Sequence, residues 1–311
     1  MKSWPHTTLL ICFALLISSC GQSGQAVKGK FVFNSIRPPT GYDALFILEG
    51  GKIRHLGYDL SDPDFSPDGK RIIVTSLKRN AFVVIGLDGK ELEAIRIQDK
   101  VGVAKWAKDG TDVIYFTASK DDMDRFTLRK YDLKSKTQSE ICDMGQGLWI
   151  LNFAFSPGDD FIIQRVSGSS DRREDSGLYL FDLKKGTAKL LSRYGLGTMW
   201  FPDGYRVAYF AYRDETGKMI GRGGALFEMD LRSGEKKLLR YWSSFPAVGN
   251  GFKLSSDGKY FITTAPAEPA GTEIVLLPVN DPKKVIQVTR SFKIPNSICT
   301  IDSKPDWYQG N

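Results

Sequence analysis

The sequence predicts an all-β fold: a single-domain β-propeller of six four-stranded antiparallel blades, with one blade shared between the two chain ends. Three observations predict it. A short turn signature recurs along the chain, β-rich runs fill the intervals, and the last, truncated copy is completed by the N-terminal segment. The copies are Phe65-Ser66-Pro67-Asp68-Gly69, Trp106-Ala107-Lys108-Asp109-Gly110, Phe155-Ser156-Pro157-Gly158-Asp159, Trp200-Phe201-Pro202-Asp203-Gly204, Leu254-Ser255-Ser256-Asp257-Gly258 and Trp307-Tyr308. Their leading residues lie 41, 49, 45, 54 and 53 positions apart, a spacing that, with strands between the copies, marks a radial repeat. In the signature, Pro presets φ, Asp accepts local backbone hydrogen bonds and Gly tolerates positive φ. The leading aromatic is a large apolar residue able to wedge neighbouring blades, so Trp106, Trp200 and Trp307 read as core.

Each full copy precedes a strand-like run, at 70–76, 112–118, 160–166, 205–211 and 259–264. A loop and a second β-rich run follow, at 81–88, 126–133, 177–183, 224–231 and 272–279. Several of these end in Asp-Leu, and a tight turn leads to a further run such as 187–192 or 235–240. β-Branched and aromatic residues dominate the runs, Gly, Asp, Asn and Pro bound them, and the mature chain shows no sustained helical period. The segment running into each signature is the first strand of its blade. Closure follows from the ends: Gly29-Lys30-Phe31-Val32-Phe33 matches Gly69-Lys70-Arg71-Ile72-Ile73. Strands at 30–35, 43–48 and 52–57 therefore join residues 298–308 in one blade, which pairs edges that would otherwise stand open.

The chain has 311 residues, 41% hydrophobic and 25% charged, with 43 basic against 36 acidic side chains. This is ordinary globular composition with a mildly basic surface. No Lys/Arg block forms a nucleic-acid footprint, so nucleic acid is not expected as a partner. Residues 9–17 are an apolar run of nine after Lys2, too short to span a bilayer but suited to a secretory signal. The ending Ile17-Ser18-Ser19-Cys20 resembles a bacterial lipobox, which implies a signal peptide over 1–19, lipidation at Cys20, a flexible tether over 20–28 and the propeller over 29–311. Two or three acyl chains would anchor such a protein stably. Gly21 after the cysteine, under enterobacterial sorting rules, implies the periplasmic side of the outer membrane. In the folded body Cys142 and Cys299 read as two buried free thiols on non-adjacent blades.

With the turns, strands and closure in view, residues 29–308 resemble the TolB-type (WD40-like) β-propeller repeats of bacterial envelope proteins. The copy at 65–69 fits the family's aromatic-Ser-Pro-Asp-Gly pattern in full, and that at 200–204 departs only at Phe201. The resemblance implies a cell-envelope location and an envelope protein or peptidoglycan-associated partner. The α/β domain that precedes such a propeller in TolB has no counterpart between the tether and the first strand, so TolB's particular partners do not carry over.

Strand connectivity sorts the connections onto two faces. The first-to-second and third-to-fourth turns are short and regular. The others, at 36–42, 119–125, 143–150, 167–176, 212–223, 241–251 and 265–271, are longer and irregular, and long loops on a rigid scaffold commonly carry binding. On that face Trp149, Tyr241, Trp242 and Phe245 are the candidate contact aromatics. Arg172, Arg173, Asp121, Asp122 and Asp124 are the candidate polar contacts, since aromatic and arginine residues are favoured anchors. The mature chain keeps one histidine, His55, expected in an outer strand, which argues against Ser-His-Asp and multi-histidine metal chemistry. No Gly-x-Ser-x-Gly, phosphate-binding glycine loop or dinucleotide fingerprint occurs. No catalytic residue, metal or cofactor is therefore assigned. The leading expectation is a non-enzymatic, lipid-anchored protein-interaction scaffold. The alternative is binding of a small molecule, glycan or cation such as Ca²⁺ in the central channel, for which no motif speaks, and a carboxylate-dependent glycosidase ranks third.

Overall fold

The computed structural model describes residues 29–36, 43–120, 125–146, 149–158, 160–167, 177–221, 223–241, 252–266, 272–289 and 301–309. In chain order the strands are β1 (Lys30–Ile36), β2 (Asp43–Glu49) and β3 (Lys52–Tyr58), followed by β4 (Ser61–Phe65), β5 (Arg71–Ser76), β6 (Ala81–Gly86) and β7 (Glu91–Arg96). Next come β8 (Lys100–Trp106), β9 (Asp112–Ala118), β10 (Arg125–Asp132) and β11 (Thr137–Gln146). The fourth set is β12 (Trp149–Phe155), β13 (Phe161–Ser167), β14 (Gly177–Asp182) and β15 (Thr187–Ser192). Then follow β16 (Gly195–Trp200), β17 (Arg206–Ala211), β18 (Ala225–Asp230) and β19 (Lys236–Tyr241). The chain ends with β20 (Lys253–Leu254), β21 (Tyr260–Pro266), β22 (Thr272–Pro278), β23 (Ile286–Gln287) and β24 (Ile301–Tyr308).

These strands form an all-β propeller of mostly antiparallel, four-stranded blades. Among the described residues there are five sheets, and the expectation of six is corrected on that count. Four sheets have four strands each, β4–β7, β8–β11, β12–β15 and β16–β19, and the fifth has eight. The eight-stranded sheet arises because one parallel pairing, Thr272 with Ile301, joins the β20–β23 set to the set made of β24, β1, β2 and β3. The chain ends do meet in this sheet: β24 pairs β1 antiparallel, with Phe31 opposite Trp307 and Val32 opposite Asp306.

Within each blade the second-to-third ladder is regular, whereas the neighbouring ladders shift register. Shifts fall between Ser61 and Asp64, Val101 and Ala104, Ile150 and Asn152, and Leu196 and Met199 on first strands. A bulge bends its strand and increases local twist, as stacking blades around an axis requires. The first strands β24, β4, β8, β12, β16 and β20 contact one another in that order. The ring returns from β20 to β24 through a Lys253–Asp306 ion pair of 2.9 Å.

Packing between blades follows the signature. Trp106, 6% exposed, sits with Ala104, Val113 and Tyr115 against Ile73, Phe82 and Val84 of the preceding blade. Its indole Nε1 donates to Asp64 O at 3.0 Å, and Trp200 Nε1 donates to Ala154 O at 3.1 Å. Both tryptophans are therefore interblade wedges that also lose no hydrogen bond on burial. The turn behind them is equally regular. Gly69 N donates to Ser66 O at 2.8 Å, Ser66 Oγ to Asp68 Oδ1 at 2.6 Å, and Arg71 N to Ser66 Oγ at 2.9 Å. Ser255, Asp257, Gly258 and Tyr260 repeat that pattern. Gly69 has φ +62°, and a Cβ there would lie 2.2 Å from the Tyr308 ring, so both conformation and space demand glycine.

Candidate functional site

The residue immediately before each leading signature position falls at one level of the inner ring. Going round from β24 these residues are Asp306, Asp64, Lys105, Ala154, Met199 and Lys253. Four charged side chains from four different strands thus converge in the channel, and the two apolar ones occupy the remaining arc. The charges form an alternating chain. Lys253 Nζ donates to Asp306 Oδ1 and to Asp64 Oδ1, both at 2.9 Å, and lies 3.4 Å from Pro63 O. Lys105 Nζ donates to Asp64 Oδ1 at 3.1 Å. Each carboxylate uses its other oxygen to accept a backbone N–H from the next first strand. Phe65 N donates to Asp306 Oδ2 at 2.5 Å and Trp106 N to Asp64 Oδ2 at 3.1 Å.

All four side chains are enclosed, with exposures of 12–20%, and the ionisation of Asp64, Lys253 and Lys105 reflects it. Burial pushes the Asp64 carboxyl up, but Lys105, Lys253 and the Trp106 N–H outweigh it and hold the group below the usual carboxylate range. Burial likewise opposes the Lys253 ammonium, yet Asp306 and Asp64 together raise it above an ordinary lysine. Lys105, facing Asp64 without Asp306's direct contact, is pushed down by burial more than that partner can restore. A buried ion pair is a net gain only when its remaining hydrogen-bonding capacity is met. Asp64, Asp306 and Lys253 meet that condition.

This arrangement limits the chemistry. Asp64 and Asp306 both hold an ammonium and a backbone N–H, so any cation there would compete with those bonds. The same commitment makes them poor partners for acid–base work on a sugar. Among the described residues no three His, Cys, Asp or Glu side chains come together as a metal cluster.

The residues singled out from sequence are placed as follows. Tyr241 ends the outer strand β19 opposite Ala225 and is 63% exposed. Trp149 begins the inner strand β12, opposite Ser167. Both are at the long-loop end, on different sheets. Arg172, Arg173, Trp242, Phe245, Asp121, Asp122, Asp124 and the lipidation residue Cys20 lie outside the described residues, as does Cys299. Cys142 is a free thiol, but half-buried instead of buried, because it sits in the outer strand β11 with one side against the Leu128 and Met144 cluster. His55 lies in outer strand β3 as expected, its ring 5.5 Å from Phe46 and 4.6 Å from Tyr58. The channel quartet went unread in the sequence, although superposing the signatures puts Asp64, Lys105, Lys253 and Asp306 in one column.

No protein-family profile matches the chain, and no curated protein matches its sequence. Its fold does match solved structures. TolB from Acinetobacter baumannii superposes with a TM-score of 0.67 at 15% identity, covering 91% of this chain and 67% of TolB. A TolB-type structure from Agrobacterium tumefaciens gives 0.57 at 13% identity, over 90% of this chain and 99% of the other. Oligogalacturonate lyase in complex with manganese gives 0.57 at 16% identity, over 84% and 74%. The class defined by these likenesses is the β-propeller. Within that class the chain has the form of the TolB-type propellers.

Proposed function

We propose that this protein is a non-enzymatic, lipid-anchored propeller of the bacterial cell envelope that binds a protein partner through its long-loop face. One observation carries the reading: among the described residues the three most exposed large apolar side chains, Leu77 at 71%, Tyr241 at 63% and Tyr58 at 54%, all emerge at the long-loop end, while Leu92 at 52% and Val285 at 48% lie toward the other end. Exposed apolar side chains gathered on one end mark interaction surfaces more often than scattered ones do. The opposite end is occupied by turns whose polar groups bond to one another. The propeller fold shared with TolB-type structures supports an envelope setting and an interaction role in general terms, and the partner is an envelope protein or one associated with peptidoglycan. The lipid anchor rests on Ile17-Ser18-Ser19-Cys20. Its expected site is the periplasmic side of the outer membrane.

The test is crosslinking in intact envelopes followed by capture of the full-length protein. Wild type is expected to retain one partner that a Leu77→Asp/Tyr241→Ala variant loses while keeping its melting temperature. Equal capture by both proteins removes the loop face from the reading. Labelling with a radioactive fatty acid, lost in Cys20→Ala, tests the anchor separately.

A further inference from the structure

The fourth strands of the blades form the outer rim of the propeller, and charge is distributed unevenly along it. From the end of each third strand to the end of each fourth, the stretches 50–58, 183–192, 231–241 and 279–287 carry eleven basic side chains and two acidic ones. The corresponding stretches of the other two blades, 87–96 and 133–146, carry four basic and five acidic. The four basic stretches belong to consecutive blades, because the first strands run β12, β16, β20 and β24 around the ring. One side of the rim is therefore a continuous basic crescent, and the other is close to neutral.

Five lysines of the crescent, Lys52, Lys189, Lys237, Lys283 and Lys284, are exposed and pair with no carboxylate among the described residues. The turn aspartates of the same blades do not cancel them, since Asp160, Asp203 and Asp257 are held by Lys184, Arg206 and Lys259. Aliphatic groups are interleaved with the charge. Ile53, Leu190, Leu238 and Val285 are all exposed, and each directly follows a lysine. Leu190 and Leu238 hold the same register, opposite Tyr179 and Phe227 of their third strands. Lysine heads beside short apolar groups suit a surface that is charged outside and apolar beneath.

The point where the chain enters the ring indicates what lies against this crescent. Lys30 begins β1 opposite Glu49, so Gly29 sits beside the Gly50–Gly51 turn, at the short-turn end. Lys52, Lys237, Lys283 and Lys284 lie at that same end, in or just after third-to-fourth turns. Residues 20–28 reach at most about 30 Å when fully extended. An acylated Cys20 would therefore hold the short-turn end close to a bilayer.

We propose that the basic crescent rests on the anionic phospholipid headgroups of the membrane that holds the anchor, which turns the long-loop face outward toward its partner. The choice of occupant rests on the anchor reading, whereas the crescent itself does not depend on it. Lysines close to an anionic leaflet each add an attraction that salt screens.

Cosedimentation with vesicles tests the proposal, using the mature chain carrying Cys20→Ala so that no acyl chain contributes. The vesicles are phosphatidylcholine alone or phosphatidylcholine mixed with phosphatidylglycerol. Binding is expected to the mixed vesicles only, and should fall by about tenfold or more between low and physiological salt. Lys237→Glu/Lys284→Glu should weaken it by about tenfold or more. Lys90→Glu/Lys134→Glu makes the same charge change at the same end of the other two blades and should leave binding within about twofold of the parent. All four side chains are exposed, and unchanged melting temperatures verify that both variants fold. Equal binding to the two kinds of vesicle, or equal losses in the two variants, overturns the proposal. So does tighter binding of a nucleic-acid duplex than of the mixed vesicles, which would make the crescent a general polyanion surface. Fatty-acid labelling of the wild type separates the two readings. Labelling without selective vesicle binding overturns the crescent alone, and selective binding without labelling supports the crescent and removes the anchor alone.

Discussion

At the turn, Phe65–Gly69 and Leu254–Gly258 do one job with one set of bonds. A single residue earlier, Asp64 and Lys253 carry opposite charges, and Ala154 and Met199 at the equivalent places carry none. The turn is a local object: Ser66, Asp68, Gly69 and Arg71 satisfy each other inside seven residues. Its hydrogen bonds can recur from blade to blade because they close within the turn, even though Gly69 also packs on the Tyr308 ring and Arg71 donates to Gly110 O of the next blade. The preceding position meets the neighbour across the ring, so each residue there must suit a different partner. The repeat therefore encodes the scaffold, and the place where it stops repeating marks where the ring has been given individual character. The charged arc spans β20, β24, β4 and β8, which is the stretch of ring where the two chain ends are joined.

The largest effect should come from breaking the charged arc at its centre. Asp64→Ala leaves Lys105 and Lys253 short of their shared acceptor and the Trp106 N–H without one. Removing one partner of a buried pair costs about 3–5 kcal/mol, and the loss should appear as a lower denaturant midpoint in urea. A change of ~1 kcal/mol or less would mean that channel water replaces the carboxylate and that the arc contributes little to closure.

A glycine pair separates the closure contact from turn geometry. Gly69 and Gly186 have nearly the same backbone, φ +62° and +63°, but a Cβ on Gly186 meets nothing within 4 Å. Gly186→Ala should cost about 1 kcal/mol for the left-handed conformation alone. Gly69→Ala adds displacement of the Tyr308 ring, so its cost should exceed that of Gly186→Ala by a further ~1–3 kcal/mol, the usual penalty of overpacking. Equal melting temperatures would show that Tyr308 moves aside freely.

Much of the scaffold was readable because it is local. Strands β9 and β15 fall on their expected residues, 112–118 and 187–192, and the joining of β24 to β1 follows from matching Gly29 to Gly69, although Trp307 lies opposite Phe31 where the register of the other blades would give Val32. What escaped depends on partners distant in sequence. The Thr272–Ile301 pairing that reduces six expected blades to five sheets joins two strands by a single residue pair, which no strand pattern announces. The channel quartet links positions up to 242 residues apart, from Asp64 to Asp306. Its signal is a column of unlike residues, one position before the leading residue of each signature and four before the recurring turn aspartates Asp68, Asp109 and Asp257. The long-loop candidates rest on residue type, and among the described residues Tyr241 is an exposed side chain.

Acidification offers a smaller, graded test of the same contrast. The folded-state pKa of Asp64 is depressed, so its contribution is fully present above the unfolded value of about 3.9 and is lost as pH falls through the lower folded value. Lys253 behaves in the opposite sense. Its folded pKa is raised, so its contribution holds below about 10.4 and fades as pH rises through the raised value. Urea midpoints measured from pH 6 down to pH 2 should therefore fall, and Asp64→Asn should flatten that fall. An unchanged acid slope in the variant would assign the acid sensitivity to other carboxylates, the turn aspartates first among them.

The smallest effect is expected from Asp68→Ala, four residues from Asp64 and identical in type. The Ser66 hydroxyl, ahead of the Lys70 N–H, holds the Asp68 carboxyl below its ordinary value. Yet this side chain stands in solvent at the turn, where water can take over both donors when it is removed. The net loss should be about 0.5–1.5 kcal/mol, that of an ordinary exposed hydrogen-bonded group. Two aspartates in one repeat, each with a lowered pKa, would then differ severalfold in what their removal costs. The difference would follow from what is left behind: water beside Ser66, but two enclosed ammoniums and an indole-bearing strand beside Lys105. If Asp68→Ala proved as costly as Asp64→Ala, the turn belt and the channel arc would have to act as one cooperative closure instead of as scaffold and site.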